Sequence, residues 1–370
     1  MTNVARPPST TPSTTPSTTP RDRHPQPRHR MPHESEPQAR TWMGWPAASY
    51  MLDGSIVPVD DVWGAWAAVA GAIVDVQPVT MLVAPGHEHT ARRLLPRAVE
   101  LLVVPVDDAW LRDSGPTFVR DTARGDALAA VSWEFNAWGG LELAETAADN
   151  ALAPLVAERA GATLVRSAMV NEGGGMQVDG AGTVIVTETV QRDPQRNPGW
   201  SRAEIERELT RTIGARHVIW LPRGLARDYS PLGTRGHADM VAAFSAPGTV
   251  LLHDQRDPAH PDHALTRRLR AQLARETDAD GRPLRIVDLP SPTVLRDAGG
   301  WVDLNYANHA VVNGAVIMGV FDDPADDEAR EVLGAAYPGR ELIGVDARAV
   351  FALGGGIHCI TQNQPAVQGT

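Results

Sequence analysis

Lysine is missing from this chain: the 34 lysine-plus-arginine positions are all arginine. That excludes Schiff-base catalysis on a lysine and phosphate binding by a P-loop lysine. A GC-rich coding bias accounts for the absence itself. Cysteine is almost as scarce. Cys359 stands alone, so no disulfide forms within the chain and nothing points to an oxidising compartment; a cytoplasmic location is expected. No apolar run approaches the roughly 18 residues needed to cross a bilayer, and the first residues lack the apolar stretch of a secretory signal. Positive charge is in deficit as well, with a formal net charge of −11. That balance argues against nucleic acid or an anionic membrane as partner and suits an enzyme that attracts cations.

What is present begins with a low-complexity start. "STTP" occurs three times in the first 20 residues, and Pro and Thr without apolar partners cannot offset the entropy of folding. Residues 1–38 are therefore expected to be a disordered or polyproline-II tail, and residues 39–370 a single domain. The chain as a whole is 42% apolar, ample for a large core.

Short apolar runs then alternate with helix patterns. Strands are expected at 80–85, 100–106, 183–188, 217–222, 249–254 and 315–321. Helices are expected from 59 and then from near His89, Thr146, Ser201, His263 and Pro324. Ser201 with Glu204 forms a capping box, Gly214 closes that helix, and Asp323-Pro324 starts another. The last five starts fall about 60 residues apart, which points to one α/β unit used repeatedly in one closed domain.

Acidic residues gather after the strand runs rather than on helix faces. "DDAWLRDSGPTF" carries Asp113, "NEGGG" carries Glu172, and "GHADM" carries His237 and Asp239. Near the C-terminal end "ALGGGIHCITQNQP" places three glycines before His358 and Cys359. A thiol attacks as thiolate and needs a cationic neighbour or ligand; His237 suits a general acid/base. Several carboxylates converging on one pocket repel unless a cation lies between them, and a guanidinium is planar, always charged and matched to carboxylates in pairs. Its central carbon is electrophilic. "HEH" at 87–89 and "HPDH" at 260–263 are the other dense clusters; both read as solvated helix caps rather than metal sites. No metal and no organic cofactor are expected.

The motifs "TWMGWP", "WLRDSGPTF", "WEFNAWGG", "EGGGMQVDGAGTVIVTE", "GHADMVAAF", "NYANHAVVNGAVIM" and "GGGIHCITQNQP" resemble, in order, those of the agmatine deiminase and bacterial peptidyl-arginine deiminase family. They run from about Arg40 to the C-terminal end. The resemblance implies a pentein fold, a five-bladed pseudo-symmetric α/β propeller with its site on the axis, in agreement with the repeat. It implies Cys359 as nucleophile, His237 as acid and then base, and Asp113 and Asp239 gripping the guanidinium. Glu172 would be a further acid orienting substrate or His237, Trp110 would pack on the substrate's aliphatic part, and Gly355 and Gly356 would border it. The implied substrate is a small cationic guanidine, agmatine first, giving N-carbamoylputrescine and ammonia through a covalent thiouronium. A homo-oligomer is left open.

The chain also departs from the family. Asp228 lies farther from His237 than the corresponding acid does, Gly356 replaces a common Asn, and Leu141 a common Lys. These changes leave open free or peptidyl arginine, a specialised guanidine, an amidinotransferase, or a guanidine-binding scaffold without catalysis. Bland readings stand beside each residue: Cys359 as a small buried hydrophobe, Asp113 and Glu172 as turn acids, Trp110 and Trp138 as core, and His358 as structural, turned away from its neighbour.

Overall fold

Runs such as Val79–Val83 and Thr183–Thr187 are buried at every position, the pattern of strands covered on both faces. The computed structural model describes residues 1–2, 27–140 and 145–367, and in it these runs are the middle strands of separate small sheets. Five sheets share one order: a first strand, an antiparallel second, then a third parallel to the second. In the second unit these are Thr117–Asp121, Ala127–Glu134 and Thr163–Val170; in the third, Met176–Val178, Thr183–Thr187 and His217–Leu221. The fourth has Ala242–Ala246, Thr249–Asp254 and Arg285–Pro290; the fifth, Ala310–Val312, Ala315–Val320 and Glu341–Asp346. The first unit takes its first strand from the far end of the chain: Thr361–Pro365 pairs antiparallel with Gln38–Gly44, followed by Val79–Val83 and Glu100–Val103. None of the sheets closes on itself.

A parallel step needs a crossover, and a helix occupies it in each unit: Val59–Val74, Asp149–Arg159, Arg202–Ile213, Asp262–Leu273 and Ala325–Ala336. The first buries Val62, Ala65, Trp66, Val69, Ala70 and Ile73, spaced by three and four along one stripe. In the third, Ser201 and Glu204 cap each other reciprocally and Gly214 adopts the left-handed conformation. A side chain at Gly214 would collide with the carbonyl of His29. Asp323 accepts from the amide of Ala325 at 2.9 Å at the start of the fifth helix.

Two expectations are corrected. The helix near His89 is the short Glu88–Leu94, stopped by Pro96; it is an extra element of the first unit, and the true first member of the series is Val59–Val74. The tail also ends earlier than Gln38. Residues 3–26 lie outside the described residues, but 27–38 are built into the fold. His29–Arg30 pairs with Thr117–Asp121, Met31 donates to Ile213 O at 2.9 Å, and His33 Nε2 meets Phe244 O at 2.9 Å. Among the described residues no helix is long and apolar enough to cross a membrane.

Candidate active site

The turn before the first strand of a unit is where this topology delivers side chains. Asp113 precedes Thr117–Asp121, Glu172 precedes Met176–Val178, and His237 and Asp239 precede Ala242–Ala246. Asn308 precedes Ala310–Val312 and Cys359 precedes Thr361–Pro365. Each unit thus supplies one turn to the site, and every one of these residues lies within five positions of its strand.

All six are buried, Cys359 to 3% exposure. Its Sγ lies 3.6 Å from Asp239 Oδ2 and 3.2 Å from Asn308 Nδ2. His237 Nδ1 is 3.8 Å from Asp113 Oδ2 and 3.9 Å from Asp239 Oδ1, and its Nε2 is 3.6 Å from Glu172 Oε2. Among the described residues neither ring nitrogen of His237 has a hydrogen-bond partner, nor has Asp239 Oδ1 or Glu172 Oε2. Buried polar atoms are rarely left so. Here four of them, acceptors and an imidazole, converge beside the thiol.

The partners behind these groups fix their charge. Burial opposes a charge on Glu172, but Arg196 Nε at 2.8 Å and His237 hold its carboxyl down at about 2. Burial likewise opposes an imidazolium at His237, yet Asp113, Glu172 and Asp239 lift it to about 9. Burial pushes the Asp113 carboxyl up and the nearby acids add to it, although Trp138 donates to Oδ2 at 2.8 Å and the Gly174 amide to Oδ1 at 2.9 Å. Asp239 is instead held low against burial, chiefly by His358. The Cys359 thiol is pushed up by burial and by Asp239 and Asp113; without a cation in front of it the thiolate is disfavoured.

The glycines clear the approach. A side chain at Gly174 would lie 2.5 Å from His237 Nδ1 and 2.9 Å from Asp239 Oδ2; one at Gly355 would lie 2.5 Å from Trp110 Cζ3. One at Gly356 would collide with Asn308 Oδ1. A slot of about 310 Å³ opens in front of Cys359, lined by Tyr50, Trp110, Asp113, Trp138, Leu232 and Thr234, with Gly354 and Gly355 at its edge. Trp110 is held by Tyr50, whose hydroxyl accepts from its Nε1 at 2.9 Å and donates to Asp108 at 2.6 Å.

The expected set therefore comes together: Cys359, His237, Asp113, Asp239, Glu172, Trp110, Gly355 and Gly356. Four readings change. Trp138 is no mere core residue, since its indole holds Asp113. His358 does turn away from the thiol, but its Nδ1 bonds Asp239 Oδ2 at 2.8 Å. Asp228 compensates for its distance in sequence by binding the His237 amide at 3.1 Å and Thr234 at 3.1 Å, closing the loop around itself. Leu141 lies outside the described residues. The "HPDH" cluster is not solvated: His260 and Asp262 are buried, and His260 Nε2 bonds Val302 O at 3.0 Å.

Sequence reasoning missed Asn308 and Glu34. Asn308 Oδ1 accepts from the amides of His358 at 2.9 Å and Cys359 at 3.4 Å, pinning the turn that carries the thiol. The unit register was the available signal, since the fifth unit's turn had no assigned residue. Glu34 carries no such signal in a segment read as tail.

Residues 30–365 match the family described as Porphyromonas-type peptidyl-arginine deiminase. A "Putative agmatine deiminase" of Streptomyces coelicolor is 49% identical, covering 91% of this chain and 98% of that protein. The "Agmatine deiminase" of Medicago truncatula is 35% identical over 91% and 96% of the two chains. The solved agmatine deiminase of Enterococcus faecalis superposes with a TM-score of 0.84 at 31% identity, covering 91% of this chain and 96% of that one.

Proposed function

The chain belongs to the Porphyromonas-type peptidyl-arginine deiminase family, and on that premise we propose that it hydrolyses agmatine to N-carbamoylputrescine and ammonia. The family and its named relatives make it a hydrolase acting on guanidino groups. The observation that carries the finer reading is the set of unpartnered buried acceptors around His237, beside the one thiol of the protein. Among common biological cations a guanidinium offers flat N–H donors to several carboxylates at once.

In this reading the substrate lies between Asp113, Asp239 and Glu172; its charge offsets the carboxylates that disfavour the Cys359 thiolate, so the thiol releases its proton to solvent as the substrate binds and Sγ stands as thiolate. Sγ attacks the guanidinium carbon to give a tetrahedral adduct. His237, protonated at neutral pH by its acidic neighbours, gives its proton to the departing nitrogen. Ammonia leaves and an S-alkylthiouronium remains on Cys359. The now neutral His237 takes a proton from water as the oxygen attacks the same carbon; the C–S bond breaks, and a ureido product forms. No cofactor or metal takes part. The five ordered units would stand around this point as the blades of a propeller. The shared strand order and the site turn supplied by each unit support that arrangement.

The tail of the substrate faces Trp110 and the loop carrying Leu232 and Thr234, and that loop is where the chain departs from its family. The test is therefore a panel: agmatine, arginine, an arginyl peptide and simple alkylguanidines, assayed for ureido product and ammonia. Agmatine is expected to be turned over fastest, and Cys359→Ala to abolish the activity. No turnover of any guanidine, or activity surviving Cys359→Ala, would overturn the proposal; a faster arginine would replace its substrate.

A further inference from the structure

Asp113 and Asp239 face the same imidazole from similar distances, yet burial raises one carboxyl while the other is held down. The difference lies behind Asp239. Its Oδ2 bonds His358 Nδ1 at 2.8 Å, and the other ring nitrogen of His358 bonds Glu34 Oε1 at 2.9 Å. Arg112 Nη1 sits 3.0 Å from the same Glu34 oxygen, and its Nε donates to His358 O at 3.2 Å. Four charged side chains thus form one line, arginine, glutamate, histidine, aspartate, from the rear of the protein to the thiol. Glu34 is its most exposed member: its side chain is 18% exposed, against 3% for Arg112 and 1% for Asp239. Glu34, Arg112 and His358 also border a small pocket that shares no lining residue with the slot in front of Cys359.

We propose that Glu34 and His358 are positioning residues that keep Asp239 ionised and aimed at the substrate cation, so that the segment before the first sheet is a working part of the active site. The inference rests on the reading that Asp239 grips a guanidinium. An imidazole between two carboxylates is stabilised in its charged form, and an imidazolium at 2.8 Å is a stronger support for Asp239 than a neutral ring. The groups that bear on it are all identified. Glu34 and Asp239 favour the charge on His358, while Arg112 and burial oppose it. His309 lies near His358 and Glu34 and is itself kept neutral by burial, and His33 lies near Glu34. On the other side of Asp239 stands His237.

Glu34→Gln removes a charge that favours the protonated form of His358, and His358→Asn keeps a hydrogen-bond donor for Asp239 without the charge. Each is expected to lift the Asp239 carboxyl past that of Asp113, so that Asp239 sets the acid limb of the kcat/KM profile and moves it up by about one pH unit, a tenfold loss at the low-pH side that closes as pH rises. The loss is expected in KM, with kcat within about threefold. The double variant is expected to lose no more than either single one, because both act through Asp239. Agmatine binding to the Cys359→Ala protein, measured by calorimetry across pH, reads the same shift without turnover. Inactivity of the wild type toward every guanidine would sink the functional reading. In that case guanidinium chloride binding to Cys359→Ala, with and without Glu34→Gln, still tests the relay. A loss equal at all pH values, an unmoved limb, or additive losses in the double variant would overturn the inference.

Discussion

Cys359 shows how far one residue can be judged from its neighbours in sequence. The glycines ahead of it and the histidine beside it were legible, but the groups that decide its chemistry come from other turns. Asn308 is the clearest case, since it is 51 positions away and holds the amides of both His358 and Cys359. Asn308→Ala leaves the buried Cys359 amide unpaired, while the His358 amide keeps the Asn308 carbonyl at 3.3 Å; the cost is about 1–3 kcal/mol. A measurable fall in urea midpoint is expected together with slower turnover. For His237, replacement by Ala is expected to lower kcat by a factor of about 10² to 10⁴. The same residue couples stability to pH. Its folded value of about 9 lies above the free value of 6.5, so its contribution is fully present below about pH 6.5. It is lost as pH rises through 9. Urea denaturation at pH 6 and pH 9.5 should show that loss in the wild type and much less of it in His237→Gln.

Elements were easier to read than residues where local rules and packing agree. Inner strands such as Val79–Val83 and Ala315–Val320 were visible because they are short, apolar runs, whereas Ala127–Glu134 and Gln38–Gly44 were missed; the capping box at Ser201 was visible because its two partners lie three residues apart. Ser201→Ala is expected to lower stability by about 1 kcal/mol, read as a fall in thermal midpoint with kcat unchanged. Outer strands such as Glu341–Asp346 and Arg285–Pro290 were missed, since each is partly exposed and carries charge within a short run. The glycine turns are a further case: sequence shows that space is cleared but not for what. Gly356→Ala would drive a methyl group into Asn308 Oδ1 and to within 2.8 Å of Phe351 Cζ. A shift of the Cys359 turn on that scale is expected to cost about a hundredfold in kcat, and overpacking the buried turn is expected to lower stability by about 1–3 kcal/mol, read in the midpoint of unfolding.

For the whole molecule, the repeat was legible as a spacing of helices, but its first member was misplaced because Glu88–Leu94 falls at the expected interval. The boundary at residue 38 failed for a different reason. Met31, His33 and Glu34 lie close to a low-complexity stretch, and their partners Ile213, Phe244, Arg112 and His358 are far along the chain. A chain beginning at Pro27 keeps all of these contacts and is expected to match the full chain in midpoint and pH profile. One beginning at Gln38 is expected to melt lower and to need a higher pH for half-maximal kcat/KM.

The pairing of Thr361–Pro365 with Gln38–Gly44 has a temporal meaning. On a ribosome the first sheet must wait, with one edge open, until nearly every other unit has been made, and the sulfur arrives on the strand that finishes it. Truncated products would carry acids and imidazole but no warhead. Competence toward a guanidine would then report that synthesis ran through to the last sheet strand.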